Sequence, residues 1–207
     1  MTPAFNLRSL EWRDLSELSE LYYSYHEELK VDREFGLILS SERPSHADQI
    51  QWFSRLVVDI ERGHAFATVA ELDGRVTGLC EVRTRGPNAF VRHTAVVTVG
   101  VRRENRRGGI GSSLLVETLR RCPPSTRLID ASFPSTNVAA KALLTKHGFR
   151  TYGVIPGFVY RSGRYLDLER MYLVLHPDDQ SNHPTQRQAD QGDPSQFHRI
   201  LGLEYTY

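Results

Sequence analysis

Apolar residues recur along this chain with two periods, one typical of helices and the other typical of strands. Spacings of three and four residues predict amphipathic helices at residues 14–29, 45–61, 110–122 and 137–147. Alternation and short apolar runs predict strands at residues 5–10, 64–72, 75–83, 90–101, 127–131, 152–155 and 166–175. Asp73-Gly74 predicts a tight hairpin turn, and Pro156-Gly157 predicts another turn before the last strand. This order of elements indicates an α/β domain with one mixed sheet packed against helices.

Residues 97–119 combine a strand, a turn and a helix in a pattern that favours ligand binding. The strand alternates apolar valines with Thr98 and Gly100, and the helix stops before Pro123-Pro124. Between them lies the basic, glycine-rich run Arg106-Arg107-Gly108-Gly109-Ile110-Gly111-Ser112. A helix N-terminus carries unpaired amide donors and a partial positive charge, so it suits a phosphate group. Glycines at this point let a ligand approach the main chain closely.

Two widespread nucleotide-binding motifs fit this turn poorly. A Walker A loop needs Gly-Lys-Ser/Thr after four intervening residues, and the sequence has no such run. A Rossmann fingerprint needs a third glycine where Leu114 stands, although Asp130 lies at about the distance expected of its acidic residue. A Rossmann-type nucleotide enzyme is therefore the least favoured interpretation.

Composition and charge narrow the classes of function. The 207 residues carry a formal net charge of +1, which gives no general case for binding nucleic acid or an anionic membrane. Residues 1–11 contain no apolar signal core, and no apolar run reaches the length of a membrane span. We therefore expect a cytoplasmic protein without a nucleic-acid or membrane partner. The local cluster of arginines at residues 102–107 is either part of the binding turn or a solvated surface.

The cysteines and the C-terminal composition suggest a compartment and a domain boundary. Cys80 and Cys122 lie in or beside apolar segments, so we expect buried free thiols in a reducing compartment. Neither has a close histidine partner, so no metal site is predicted. After His176 the sequence becomes rich in Asp, Gln, Ser and Pro. We therefore predict one domain over residues 1–176 and a polar, flexible tail over residues 177–207.

The binding turn and its surroundings resemble the acetyl-coenzyme A (acetyl-CoA) segment of the GNAT N-acetyltransferases. The first motif is Arg106-x-x-Gly109-x-Gly111 between a valine-rich strand and an amphipathic helix. The second, Asn137-x-x-Ala140-x-x-Leu143-x-x-Lys146-x-Gly148-Phe149, resembles the family helix that flanks coenzyme A. Gly163-Arg164-Tyr165-x-Asp167, followed by Met171, resembles the phosphinothricin-acetyltransferase-like branch. The resemblance implies the GNAT fold, with a mostly antiparallel central sheet splayed at the cofactor site and helices on both faces.

The same resemblance assigns residues to the binding of acetyl-CoA. The backbone of Val99 and Val101 would pair with the pantetheine amides as if the cofactor were an added strand. Asn137 would hydrogen-bond the pantetheine arm near its sulfur end. The amides of the turn would hold the diphosphate, namely those of Arg106, Arg107, Gly108, Gly109, Ile110, Gly111 and Ser112.

Two side chains that relatives use for proton transfer are absent from this chain. Many relatives carry a tyrosine acid in the last helix, where this chain has Leu144. The phosphinothricin-type enzymes carry a glutamate base on the central strand, where this chain has Val96. Other residues must therefore move the protons, unless binding in a near-attack geometry supplies most of the rate.

Acetyl transfer to an amine still calls for a base and for a donor to the developing oxyanion. Glu81, among apolar neighbours that would raise its pKa, is our candidate base; alternatively it is a solvent-facing strand residue. His93, which matches a histidine often seen in the family, is a candidate proton relay or a structural histidine. The N–H of Val99 is the candidate oxyanion donor. Tyr152 and Tyr160 are candidate acids.

Together these residues favour an enzyme, an N-acetyltransferase that passes the acetyl group of acetyl-CoA directly to a primary amine in a ternary complex. The C-terminal resemblance favours a small or amino-acid-like acceptor, with a protein amine second. The residues at positions 96 and 144 also allow a non-catalytic acyl-CoA sensor or interaction module. Dimers are common among similar proteins, so a homodimer is a further expectation.

Overall fold

The computed structural model describes residues 5–32, 36–40, 42–85 and 90–175. Within these ranges the chain forms four α-helices: α1 (Leu15–Val31), α2 (His46–Glu61), α3 (Ile110–Arg121) and α4 (Val138–Lys146). The same ranges hold seven strands: β1 (Asn6–Ser9), β2 (Ala65–Leu72), β3 (Arg75–Thr84), β4 (Thr94–Val101), β5 (Leu128–Pro134), β6 (Arg150–Arg161) and β7 (Arg164–Val174). Short 3-10 turns occupy Trp12–Asp14 and Arg103–Asn105.

All seven strands belong to one sheet, in the order β1-β2-β3-β4-β5-β7-β6. Neighbouring strands are antiparallel except β4 and β5, which are parallel. The parallel pairing spans only Thr94–Leu128, Ala95–Ile129 and Val96–Asp130. Beyond Val96 the two strands continue without pairing, so the sheet opens in its middle. The predicted mixed, mostly antiparallel sheet with a splayed strand pair is confirmed.

Helices cover both faces of this sheet, as predicted. The core on one face joins α3 and α4 to the strands and includes Ile110, Leu114, Leu115, Leu144, Val82, Ala95 and Ile129. The core on the opposite face joins α1 and α2 to the strands and includes Leu18, Leu21, Phe53, Val57, Val69 and Val76. Cys80 and Cys122 are buried, unpaired cysteines of the first core.

Several helix ends and turns lie where the sequence predicted them. Ser45 caps α2 by accepting a hydrogen bond from the N–H of Asp48. Asp73 and Gly74 join β2 to β3 with φ values of 51° and 77°, as a tight hairpin turn requires. Gly148 follows α4 with a φ of 84°, a left-handed conformation that favours glycine at a helix C-terminus.

Two strand boundaries differ from the prediction. β6 passes through Pro156-Gly157 without turning, and its register with β7 shifts between Ile155 and Val159. Since the ladder is already broken there, a proline without an N–H costs no paired hydrogen bond. The chain turns instead at Ser162-Gly163, where both residues have positive φ.

The third predicted strand is also shorter at its start. Residues 90–93 form a turn, and β4 begins only at Thr94, whose N–H donates to the carbonyl of Val91. β5 extends to Pro134, beyond its predicted end at residue 131. The tail over residues 177–207 lies outside the described ranges, so its flexibility stays a prediction. In the described part of the chain, no helix combines the length and apolarity needed to cross a bilayer.

Candidate active site

A cleft of about 740 Å³ occupies the place where β4 and β5 separate. Four segments line it, namely residues 97–101 of β4, the turn before α3, residues 131–133 of β5, and α4 with the residues just before it. Glu28, Asp32, Gly36 and Leu37, from the end of α1 and the loop after it, complete the lining. The cleft is therefore a direct consequence of the sheet's splayed strands.

The edge of β4 presents main-chain groups to this cleft. In an antiparallel pair, successive residues alternate between facing the partner strand and facing away from it. The N–H of Arg102 donates to the carbonyl of Thr77 at 2.8 Å, so even-numbered residues of β4 face β3. Val99 and Val101 therefore turn their N–H and C=O groups toward the β5 side, where pairing has already ended at Val96. Among the described strands this edge therefore has no partner, and pairing of an extended ligand with it stays a prediction.

The turn before α3 adds a second set of main-chain donors. The first hydrogen bond of the helix runs from the N–H of Ser113 to the carbonyl of Gly109, at 3.0 Å. A helical N–H normally bonds to the carbonyl four residues earlier. For the N–H groups of Ile110 to Ser112 those carbonyls lie before the helix, so these three amides have no acceptor within it. Gly109 caps α3 with a φ of 84°, and no heavy atom lies within 4 Å of the position that a Cβ would take.

Residues of the turn differ in what they present to the cleft. Its lining includes Arg106, Arg107, Gly109, Gly111 and Ser112. A Cβ on Gly111 would lie 3.7 Å from both Leu143 and Val101, so this glycine keeps open the gap between β4 and α4. The side chain of Ile110 packs into the core instead, and only its backbone can serve a ligand.

Arg106 lines the cleft and is also bonded to two other parts of the protein. Its Nη1 and Nη2 lie 2.5 and 2.7 Å from the two carboxylate oxygens of Glu28, on α1. Its Nε donates to the carbonyl of Val101 at 2.9 Å. Arg106 thus ties the turn to α1 and to the end of β4. Arg107 and Lys146 also line the cleft and add positive charge to it.

A hydrogen-bonded side-chain pair connects the start of α3 to the end of α4 beside the cleft. Ser112 Oγ, at the start of α3, lies 2.5 Å from His147 Nε2, just after α4. Burial first, and then the positive charge of Lys146, lower the pKa of His147 below its ordinary value. This shift favours the neutral imidazole, which donates to or accepts from the Ser112 hydroxyl according to its tautomer.

Asn137 lines the cleft, but its side chain already has partners. Its Oδ1 accepts from the N–H of Ala140 at 2.9 Å and so caps α4. Its Nδ2 donates to the carbonyl of Gly36 at 2.7 Å. A Cβ at position 36 would lie 2.1 Å from that Nδ2, so only glycine allows this approach. Each of the two side-chain atoms retains the capacity for one more hydrogen bond, to a ligand in the cleft.

Glu81 lies beside the cleft on the sheet face covered by α1 and α2. Its neighbours Cys80 and Val82 belong to the core under α3, so the alternation of the strand turns Glu81 to the other face. It stands opposite Thr98 of β4, which lines the cleft. Burial raises the pKa of Glu81 above its ordinary value, and the ion pair with Arg83 at 3.4 Å offsets this only in part. This environment suits a general base.

The structure does not bring His93 to the cleft. His93 lies exposed in the turn before β4, and its carbonyl accepts hydrogen bonds from Arg127 and Leu128. Val99 lies six positions further along the chain, which corresponds to roughly 20 Å along an extended strand. Its position at the far end of the strand excludes direct proton relay at the cleft.

The other positions considered for proton transfer have distinct surroundings. Val96 stands between Arg83 and Asp130 in the sheet, on the face of Glu81. Leu144 is buried and lines the cleft, so this wall is apolar where relatives carry a tyrosine. Tyr160 is exposed and packs against Tyr165, with ring centroids 5.0 Å apart, and it does not line the cleft.

A cluster on the face of Glu81 was not recognised from the sequence. It consists of Arg85, Asp130, Tyr152 and Arg170, and we call it the Asp130 cluster. Asp130 Oδ2 accepts from both arginines, and Oδ1 accepts from the hydroxyl of Tyr152 at 2.9 Å. Burial and this hydrogen bond raise the pKa of Tyr152. The available signal was a lone carboxylate in the apolar run Leu128–Pro134.

The chemistry of the cleft fits an acyl carrier with a diphosphate. Amides without a partner in the helix begin α3, main-chain groups line the edge of β4, and Arg107 and Lys146 supply positive charge. Across the described residues, no group of three His, Cys, Asp or Glu side chains is arranged to hold a metal ion. The cleft thus offers main-chain recognition on one wall and a carboxylate with a raised pKa beside the other.

Comparison with known proteins agrees with this geometry. Residues 7–169 match the family model described as an acetyltransferase (GNAT) domain. A Bacillus subtilis (strain 168) protein provisionally named phosphinothricin acetyltransferase YwnH is 29% identical over 168 residues, which cover 79% of this chain and 94% of the relative. An L-methionine sulfoximine/L-methionine sulfone acetyltransferase of Pseudomonas aeruginosa is 28% identical over 132 residues, covering 63% and 75% of the two chains.

A solved structure shows the same fold. The GNAT superfamily phosphinothricin acetyltransferase of Sinorhizobium meliloti, in complex with acetyl-CoA, superposes with a TM-score of 0.71. The two sequences are 24% identical, and the alignment covers 90% of this chain and 95% of that one. The family model spans residues 7–169, which is most of the chain. This chain therefore belongs to the GNAT family of acetyltransferases, whose co-substrate is acetyl-CoA.

Proposed function

We propose that this acetyltransferase acts on the primary amine of a small, amino-acid-like molecule by direct transfer in a ternary complex. One observation carries the proposal. The opening between β4 and β5 joins the wall of main-chain donors to the sheet face that holds Glu81, because Thr98 and Ser132 of that face line the same cleft. A donor bound along β4 and an acceptor bound near Glu81 would therefore meet at the opening.

On the donor side, the chain's contribution is binding and orientation. The edge of β4 at Val99 and Val101 pairs with the pantetheine arm, and the amides at the start of α3 hold the diphosphate. The N–H of Val99 points into the opening, where it can donate to an oxyanion. Acetyl-CoA itself supplies a thioester carbonyl and a thiolate leaving group.

On the acceptor side, Glu81 serves as the general base. The bound ammonium group first loses one proton to solvent by way of Glu81. The neutral amine nitrogen then forms the new bond to the acetyl carbon, the C–S bond breaks, and the second proton passes to Glu81, directly or through one water. The proton finally returns to the thiolate through solvent, since Leu144 occupies the position of the usual acid. A carboxylate with a raised pKa holds that proton better than an ordinary one.

The cysteines support direct transfer rather than an acetyl-enzyme intermediate. Burial raises the pKa of both Cys80 and Cys122 to about 12, so neither is a thiolate at neutral pH. Among the described residues that line the cleft, none is a cysteine. The amine is thus the nucleophile that attacks the thioester.

The choice of a small acceptor rests on the relatives named above, whose names refer to phosphinothricin, L-methionine sulfoximine and L-methionine sulfone. These are compact molecules that carry a primary amine. A protein N-terminus or a lysine is the second class of acceptor. A homodimer remains part of the proposal, and size-exclusion chromatography with light scattering tests it.

Thiol release from acetyl-CoA measures this function. The amine panel contains L-amino acids, L-methionine sulfone, phosphinothricin, simple alkylamines and short peptides with free N-termini. We expect the amino-acid-like compounds to be acetylated with the highest kcat/KM. Preference for the peptides would favour the second class, whereas tight binding of acetyl-CoA without release from any amine would overturn the enzymatic proposal.

A further inference from the structure

The Asp130 cluster shares its sheet face with Glu81 and lies next to the opening. Ile129 and Ala131 belong to the core under α3, so Asp130 and Ser132 point to the other face. Asp130 forms the last parallel pair with β4, through Val96. Ser132, two residues further on and about 7 Å away along the strand, already lines the cleft. The cluster therefore borders the space in which an acceptor would lie.

Charge in this cluster is unbalanced. Two guanidinium groups, of Arg85 and Arg170, share the single carboxylate of Asp130. Within the part of the chain that the structure describes, no other carboxylate forms an ion pair with either arginine. The local charge is thus +1, and it is placed partly out of water, with 40% of the Arg85 side chain and 32% of the Arg170 side chain exposed.

Both arginines keep donors for a further partner. A guanidinium has five N–H groups in a planar fork, and for each arginine one nitrogen meets Asp130. Arg170 also lies over the ring of Tyr152, with its Cζ 5.2 Å from the ring centroid, which restricts its orientation. Two oriented guanidinium groups with unused N–H groups are suited to an oxyanion such as a carboxylate.

The neighbouring cluster has the opposite charge. Arg83 pairs with two carboxylates, Asp59 at 3.2 Å and Glu81 at 3.4 Å, which makes the local charge −1 when both acids are ionised. The two clusters occupy one sheet face, since Arg83 is the register partner of Val96 and Val96 is that of Asp130. A zwitterionic amino acid carries charges complementary to this pair, with its ammonium group toward Glu81 and its carboxylate toward the arginines.

We propose that Arg85 and Arg170 bind the carboxylate of the acceptor, with Asp130 and Tyr152 holding the two guanidinium groups in position. The proposal rests on the proposed function and names the substrate class more closely, as an amine that bears an anionic group. Binding the carboxylate at this cluster directs the amine toward Glu81 and the opening between β4 and β5.

The experiment compares each acetylated amino acid with its own carboxamide, which has the same shape and no negative charge. The wild-type enzyme should favour the carboxylate by about 10- to 100-fold in kcat/KM, as expected for charge-assisted bonds to arginine. Arg85→Gln and Arg170→Gln should raise KM for the carboxylate by a similar factor. Neither change should alter KM for the carboxamide or for acetyl-CoA.

A matched control is Arg120→Gln, which removes the same charge from an exposed position on α3 and should behave as wild type. Titration with acetyl-CoA shows whether each variant is folded. If Arg170→Gln does not fold, Arg85→Gln, at the more exposed position, decides the question alone. Equal use of carboxylate and carboxamide by the wild type, or an unchanged preference in Arg85→Gln, would overturn the proposal. Failure to acetylate any amine would instead overturn the proposed function.

Discussion

The two walls of the cleft are built from different parts of the polypeptide. On the side where we propose that acetyl-CoA binds, the donor wall, the proposed recognition groups are main-chain amides of Val99, Val101 and the residues at the start of α3, and the absence of side chains at the glycines leaves room for the ligand. On the side where we propose that the amine binds, the acceptor wall, the proposed recognition groups are side chains, Glu81 and the Asp130 cluster, contributed by four strands and the residue after β3.

Because of this difference, the two walls should respond to different kinds of substitution. Main-chain donors survive most side-chain changes, so the donor wall is sensitive mainly to added volume and to backbone position. Side-chain donors and bases are lost with a single substitution, so the acceptor wall is sensitive to changes in chemistry at constant volume. The variants below test this division, in order of decreasing expected effect.

Glu81→Gln changes the chemistry of the acceptor wall at nearly constant volume. As the general base, Glu81 should contribute about 100- to 10,000-fold to kcat/KM, while KM for acetyl-CoA stays unchanged. In the wild type, kcat/KM should rise with pH as Glu81 loses its proton, at a pH above the ordinary carboxyl range because its pKa is raised. The variant should lack this limb. Glu61→Gln, at the exposed end of α2, is the control, and an unchanged pH profile in Glu81→Gln would assign the base elsewhere.

Gly111→Val adds volume to the donor wall without changing its chemistry. The added methyl groups would fill the gap between Leu143 and Val101, so the affinity for acetyl-CoA should fall by about 100-fold in a calorimetric titration. The thermal midpoint should change little, because the first Cβ contacts are ordinary at 3.7 Å. Gly153→Val, at a strand glycine with nothing within 4 Å of its Cβ position, is the control. Gly109 is a poorer choice, since its positive φ would strain any side chain.

Arg106→Gln tests whether the position of the donor wall depends on a side chain. Because Arg106 is bonded to Glu28 and to the carbonyl of Val101, its loss should loosen the turn and raise KM for acetyl-CoA by about 3- to 10-fold. Glu28→Gln should have a similar effect, and the double variant should be no worse than either single one. Additive losses would instead show that Arg106 contacts the cofactor itself.

A stability measurement gives the smallest expected effect. The pKa of Glu81 is raised in the folded protein, so its ionisation costs stability once the pH exceeds the pKa of the unfolded chain. Glu81→Gln should therefore raise the thermal midpoint at pH 7 by a few degrees at most, and it should have less effect near pH 4. A lower midpoint at pH 7 would indicate that the ion pair with Arg83 outweighs the cost of burial.

The donor wall was largely predictable from the sequence, because its elements are consecutive. Strand, glycine-rich turn and helix follow one another within residues 97–119, so the local pattern contains the site. The ion pair that Arg106 forms with α1 could not be predicted, for the opposite reason. Its partner Glu28 is 78 positions away, and no local pattern indicates that contact.

The acceptor wall could be predicted only in part. Glu81 was recognised as a carboxylate among apolar residues, and the structure places it opposite Thr98, which lines the cleft. The Asp130 cluster depends on the sheet order β4-β5-β7-β6, in which β7 lies between β5 and β6, and pattern analysis does not supply that order. His93 was selected from its place in the family pattern, but the start of β4 is the end of the strand remote from the opening.

The short parallel contact between β4 and β5 has a consequence for divergence within such proteins. Past Val96 and Asp130, side chains such as those of Thr98 and Ser132 border an opening instead of a paired strand. Selection can exchange these residues without disturbing the ladder that holds the two halves of the sheet together. One fold with an unchanged binding site for its acyl donor can in this way acquire a preference for new amines through few mutations.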